Sequence, residues 1–148
     1  METEVDTVHT TVVIDADPDT VYAALLDVPR WCELTASITE ATWLDDGPTQ
    51  VGRRARVRQP RLPSAIWQVT DLRPDEAFGW QTRSPGVRMF AGHYIEAGPG
   101  DGTVTLRLTL DVSGPLAGVT KLFWGRLIRR YVGMEAAGFA SRCGGVSR

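Results

Sequence analysis

The stretch from Gly114 to Arg142, near the end of the chain, is the feature that most limits how this sequence folds. It is the one long segment with helical periodicity. At about 100° per residue, Leu116, Phe123, Leu127, Tyr131, Met134 and Gly138 fall on a narrow arc with Trp124 at its edge, while Lys121, Arg126 and Arg129 point away. Pro115 suits a first helical turn, Ser113 is placed to help cap it, and Gly144 with Gly145 supplies the stop. A helix of about 28 residues rising about 1.5 Å each makes a rod of roughly 40 Å. That spans a small domain, so the remaining chain has to wrap it.

What precedes the rod is built mostly with period 2. Thr7 to Asp15 is rich in β-branched residues and reads as a first strand. Asp17-Pro18-Asp19 then starts a helix that runs to about Leu26, burying Val21, Ala24 and Leu25, and Pro29 ends it. A short second helical turn follows over residues 30–34. Six further strands are expected over 37–45, 52–59, 65–72, 77–83, 88–97 and 103–112, separated by Pro- and Gly-bearing turns. In the last of them Val104, Leu106, Leu108, Leu110 and Val112 alternate with Thr105, Arg107, Thr109 and Asp111. Consecutive strands joined by short loops pair antiparallel. The expected fold is α+β: a curved, seven-stranded antiparallel sheet wrapped around the long C-terminal helix, with two short helices after the first strand closing one end. Residues 1–148 read as a single domain with a core over about 7–142.

Charge and composition narrow the function classes. At 148 residues the chain is long enough to bury a core, and no apolar run approaches the 18 or so residues of a membrane span. The acidic N-terminus lacks a signal-peptide core, so a cytoplasmic location is expected. Cys32 and Cys143 lie far apart without metal-ligand spacing and read as small packing residues. Residues 1–50 carry one Arg against eleven acids, whereas residues 51–148 carry fifteen bases against seven acids, so the two parts attract. Arg54, Arg56 and Arg58 share the solvent face of one strand without interleaved aromatics. They read as partners for the acidic first third, and no nucleic-acid binding is expected.

Several pieces, in order along nearly the whole chain, carry a family likeness: Val12-Val13-Ile14-Asp15-Ala16-Asp17-Pro18 with Val21, Asp27-Val28-Pro29-Arg30-Trp31, Val51-Gly52, Gly102-Thr103-Val104-Thr105-Leu106, and Gly114-Pro115-Leu116-Ala117-Gly118. The chain resembles the START-type, helix-grip proteins of the SRPBCC superfamily, in the bacterial polyketide cyclase/dehydrase branch. The resemblance implies the helix-grip fold and a cavity between sheet and helix. It does not choose a reaction, because this one shape hosts aromatase/cyclases, lipid carriers, hormone receptors and proteins without known ligand.

No portable catalytic motif is present: there is no HExxH, CxxC, GxSxG or Walker loop, and His9 and His93 with two separated cysteines make no metal site. No cofactor is expected. Trp31, Trp67, Phe78 and Trp80 are either the lining of a cavity or the filling of a core, as are Met89 on a strand and Phe123, Leu127 and Met134 on the helix. The resemblance places Trp31 at the mouth, where the small helices close it. His93 shares an inward face with Met89, Ala91 and Ile95, and reads either as an acid/base group or as a satisfied core histidine. Tyr131 is open to the same two readings. Arg73 stands at a strand end, where the resemblance implies a catalytic arginine. The expected partner is an apolar polyketide- or lipid-like small molecule, with no nucleic acid, no stable membrane insertion and a monomeric or weakly dimeric state. A cyclase/dehydratase, a carrier or sensor, and a protein-interaction module of the antitoxin or quinone-chaperone type remain as functions.

Overall fold

The computed structural model describes residues 6–144. The acidic residues 1–5, and Gly145 of the expected helix stop, lie outside them. β1 (Asp6–Ile14) leads into α1 (Pro18–Leu26), a single 3-10 turn (Val28–Arg30) and the one-turn α2 (Trp31–Leu34). Then come β2 (Glu40–Trp43), β3 (Arg54–Arg58), β4 (Ala65–Arg73), β5 (Ala77–Ser84), β6 (Val87–Ala97), β7 (Val104–Ser113) and α3 (Ala117–Cys143). The seven strands form one antiparallel sheet, as expected, and their order is β1-β7-β6-β5-β4-β3-β2. The excursion through α1 and α2 therefore carries the chain from one edge of the sheet to the other. A bulge between Val69 and Asp71 in β4 adds local twist where the sheet curves.

Alternation does what period-2 patterning requires. Every second residue of β7 from Val104 to Val112 is buried, and Ala55 and Val57 of β3 are buried between exposed Arg54, Arg56 and Arg58. On the outer face Arg54 pairs with Asp45 at 2.9 Å, which holds the Asp45 carboxyl below its usual range, and Arg58 reaches Glu40 at 3.9 Å. Both acids belong to the acidic first third of the chain.

The entry to α3 differs from expectation. Ser113 is buried inside β7 and caps nothing; the helix begins three residues after Gly114, without a side-chain cap. The β5–β6 hairpin supplies the anchor instead. Leu116 N–H donates to the Gly86 carbonyl at 2.8 Å, and Gly86 and Gly114 both take left-handed φ (+81° and +109°). A Cβ on Gly114 would sit 2.6 Å from the Gly86 oxygen, so this crossing admits only glycine. At the other end Gly144 caps α3 in the right-handed region.

The inner face of α3 also requires correction. Its buried residues are Ala117, Ile128, Tyr131, Val132, Ala136, Gly138 and Phe139, about one residue's rotation from the expected arc. Phe123 is 71% exposed, Leu116 is exposed, and Leu127 and Met134 are only half-buried. Two partners set this rotation. The helix lies on β1, β7 and β6, and Gly138 comes so close to α2 that a Cβ there would meet the Leu34 carbonyl. Cys32, expected to pack, is exposed, whereas Cys143 packs against the core.

Candidate functional site

Between α3 and the concave face of the sheet lies a cavity of about 540 Å³, within the size range of small-molecule sites. Strand register explains which side chains converge on it. Residues directly opposite in an antiparallel pair project from the same face, so Trp80 beside Ala91, Thr82 beside Met89, and His93 between Phe78 and Leu108 all point inward. Trp67 arrives from β4, and α3 contributes Thr120, Trp124, Ile128, Tyr131, Val132 and Glu135.

One end is sealed by aromatic packing. Trp31 meets Phe78, Trp80, His93 and Phe139 at centroid distances of 5.1–5.9 Å, in tilted or edge-on geometry. Its indole N–H donates to the Ala24 carbonyl at 3.2 Å, which fixes the ring to α1. Trp31 thus plugs the closed end, and the short helices do not form a mouth there. The exposed lining residues are instead Pro63, Ser64, Ile66, Arg83 and Ser84, so the cavity opens between the 59–64 loop with the start of β4, the β5–β6 hairpin and the start of α3.

His93 is buried and its Nδ1 lies 2.9 Å from the Phe78 carbonyl oxygen. That oxygen can only accept, so Nδ1 carries the hydrogen and Nε2 is the ring's acceptor. Burial pushes the pKa down to about 4, against the smaller upward pull of the backbone hydrogen bond. His93 is therefore a neutral base at pH 7.

Glu135 is the residue that sequence reasoning missed. It lines the cavity one helical turn beyond Tyr131, and burial raises its pKa to about 8. At pH 7 it is mostly a protonated acid. The signal was available: in the stripe Trp124, Ile128, Tyr131, Val132, Glu135, Phe139 it is the one acid among large apolar side chains. With His93 it gives the cavity one proton donor and one proton acceptor, neither charged at neutral pH.

The remaining expected residues separate clearly. Trp31, Trp67, Trp80, Met89, His93 and Tyr131 line the cavity. Phe78 is wholly buried behind Trp31 and Trp80 rather than on the cavity wall. Tyr131 donates its hydroxyl to the Pro60 carbonyl at 2.5 Å, so its proton is spent on the fold. Arg73 ends β4 on the exterior, ion-paired with Glu76 at 3.5 Å; the immediate turn at Pro74 keeps it from the cavity. Phe123, Leu127 and Met134 are absent from the cavity wall because of the rotation of α3.

Many solved structures share this architecture, among them three from different organisms. ZhuI aromatase/cyclase from Streptomyces sp. R1128 is similar over 95% of this chain and 94% of its own, at 17% identity and TM-score 0.76. Norcoclaurine synthase from Thalictrum flavum is similar over 95% and 87%, at 10% identity and TM-score 0.73. A hypothetical protein from Helicobacter pylori is similar over 93% and 88%, at 13% identity and TM-score 0.77. These identities establish the helix-grip fold and nothing finer. No curated protein matches the chain in sequence. The family model for polyketide cyclase / dehydrase and lipid transport matches residues 6–144. With the sheet gripping α3 around an apolar cavity, the chain belongs to the polyketide cyclase / dehydrase and lipid transport family.

Proposed function

We propose that the protein encloses an apolar, polyketide- or lipid-like small molecule in this cavity and catalyses its cyclisation and dehydration. The observation that carries the reading is the opposite displacement of two cavity-lining groups, the half-buried Glu135 upward and the buried His93 downward. Each then holds, at pH 7, the protonation state that acid/base work needs. The apolar wall holds a flexible chain in one fold, so that reacting carbons meet without a strong nucleophile.

In this scheme His93 Nε2 takes a proton from a methylene flanked by carbonyls. The electron pair released forms a carbon–carbon bond to a second carbonyl carbon, and that carbonyl's oxygen takes the Glu135 proton to become a hydroxyl. Glu135, now a carboxylate, removes the neighbouring proton; the hydroxyl leaves as water with the proton held by His93. Both groups return to their starting states.

The test is a pair of variants, His93→Gln and Glu135→Gln, assayed with a short linear polyketone. Binding is expected to stay within about tenfold, a change under roughly 1.4 kcal/mol. Turnover is expected to fall by about a hundredfold or more in each. Retained turnover in both would remove the acid/base pair and leave a carrier or sensor.

A further inference from the structure

The start of α3 presents a surface that the cavity chemistry does not use. Leu122 and Phe123 are 79% and 71% exposed, and Leu116 and Val119 on the same outer side are exposed as well. At about 100° per residue these four cover one arc, and Arg126 and Arg130 continue it toward the helix middle. The outer face thus changes along its own axis from apolar at the tip to basic one turn later.

Beside the tip is a second cleft of about 430 Å³, where Arg61 from the β3–β4 loop meets Arg126 and Arg130. Arg30, Arg54, Arg58, Arg73, Arg107 and Arg142 each have a carboxylate within 4.0 Å, yet among the described residues none of the three cleft arginines does. Guanidinium groups gathered without an acid repel one another, and an incoming anion relieves that repulsion. Trp124 lines both this cleft and the cavity, so the patch stands at the cavity mouth.

We propose that the tip of α3 docks the protein on anionic lipid surfaces, Leu122 and Phe123 entering the acyl boundary while Arg61, Arg126 and Arg130 bind lipid phosphates. The spacing fits. Arg126 and Arg130 follow the apolar pair by about one and two helical turns on the same outer face, so cationic groups flank the side chains that enter the boundary, as on interfacial helices. Charge complementarity is local, because the chain as a whole is net negative at −2. Two protruding large side chains suit a soft medium better than a protein surface, which would need a matching pocket for each. No described helix is long and apolar enough to cross a membrane, so the attachment is peripheral. If the cavity holds an apolar ligand, as proposed above, the mouth then faces the bilayer and the ligand passes between them without crossing water.

Co-sedimentation with vesicles tests the docking without any cavity ligand, so its failure is separate from failure of the cavity reading. Wild type is expected to pellet with phosphatidylcholine vesicles doped with phosphatidylglycerol, and to stay in solution with phosphatidylcholine alone. Raising salt well above physiological strength should release it. Arg61→Gln, Arg126→Gln and Arg130→Gln are expected to weaken partitioning about fivefold each, roughly a hundredfold together. Leu122→Asp with Phe123→Asp should abolish it while leaving the melting temperature unchanged. Equal binding to neutral vesicles, or insensitivity to the arginine changes, would overturn the proposal. So would a wild type that ignores anionic vesicles but forms a dimer which Leu122→Asp with Phe123→Asp dissolves.

Discussion

Tyr131 donates its phenolic hydrogen to the carbonyl of Pro60, joining α3 to the 59–64 loop at the rim of the cavity. The bond crosses 71 residues of sequence and holds one wall of the mouth against the helix. Tyr131→Phe keeps the ring and its packing but leaves that carbonyl without its donor. A loss of about 1 kcal/mol of stability is expected, together with faster ligand release from a looser rim. Thermal melts and stopped-flow release rates check this. An unchanged melt with abolished turnover would make the hydroxyl a catalytic group instead of a tie.

The rotation of α3 can be read directly from stability. Ile128→Asp puts an unpaired charge on the buried face and is expected to cost several kcal/mol, a large share of the 5–15 kcal/mol typical of a folded domain. Phe123→Asp lies on the exposed face and should leave the melt within about 0.5 kcal/mol of wild type. The reverse ranking would restore the arc centred on Phe123 and Leu127.

Glu135 and His93 give stability opposite pH dependences. The raised Glu135 pKa means that the folded state holds its proton more tightly than the unfolded chain, so this group's contribution is lost as pH rises from about 4.5 through about 8. The lowered His93 pKa means that its contribution is lost as pH falls from about 6.5 through about 4. Between about 6.5 and 8 only Glu135 of the two titrates. Glu135→Gln should therefore flatten the decline over that window, a difference of at most about 2 kcal/mol by pH 8. Denaturant midpoints at pH 6.5 and 8.5 measure it; parallel curves for variant and wild type would mean that the carboxyl is not desolvated.

Most of the strand architecture was legible because period 2 has only two phases. Val104 to Val112 declare the inner face of β7, and the apolar company of Met89, Ala91 and Ile95 points to that of β6, whereas Trp80 takes its direction from its pairing with Ala91. A helix has no such economy. α3 carries two apolar stripes, one through Leu116, Phe123 and Leu127 and one through Trp124, Ile128 and Val132, and periodicity alone does not choose between them. The choice was made by contacts far away in sequence, chiefly Gly138 against Leu34 and Leu116 against Gly86. Missing that choice hid Glu135 and gave Phe123, Leu127 and Met134 an inward face they lack. Arg73 was misplaced for a related reason, because its position at a strand end says nothing about which side of the sheet edge its side chain takes.

Titration of the intrinsic tryptophan fluorescence with a series of apolar polycyclic ligands tests the enclosed cavity most directly, since Trp31, Trp67, Trp80 and Trp124 all line it. A ligand of about 25 heavy atoms at about −0.3 kcal/mol each gains about 7.5 kcal/mol, a Kd of a few micromolar. A saturable change of emission in that range is expected, accompanied by a rise in melting temperature. Trp80→Ala should weaken binding by about tenfold or more, with a melt of the same variant separating lost stacking from a loosened fold. If no member of the series perturbs either the emission or the melting temperature at concentrations well above the micromolar range, the space between sheet and helix is not a binding site, and the account fails at its centre.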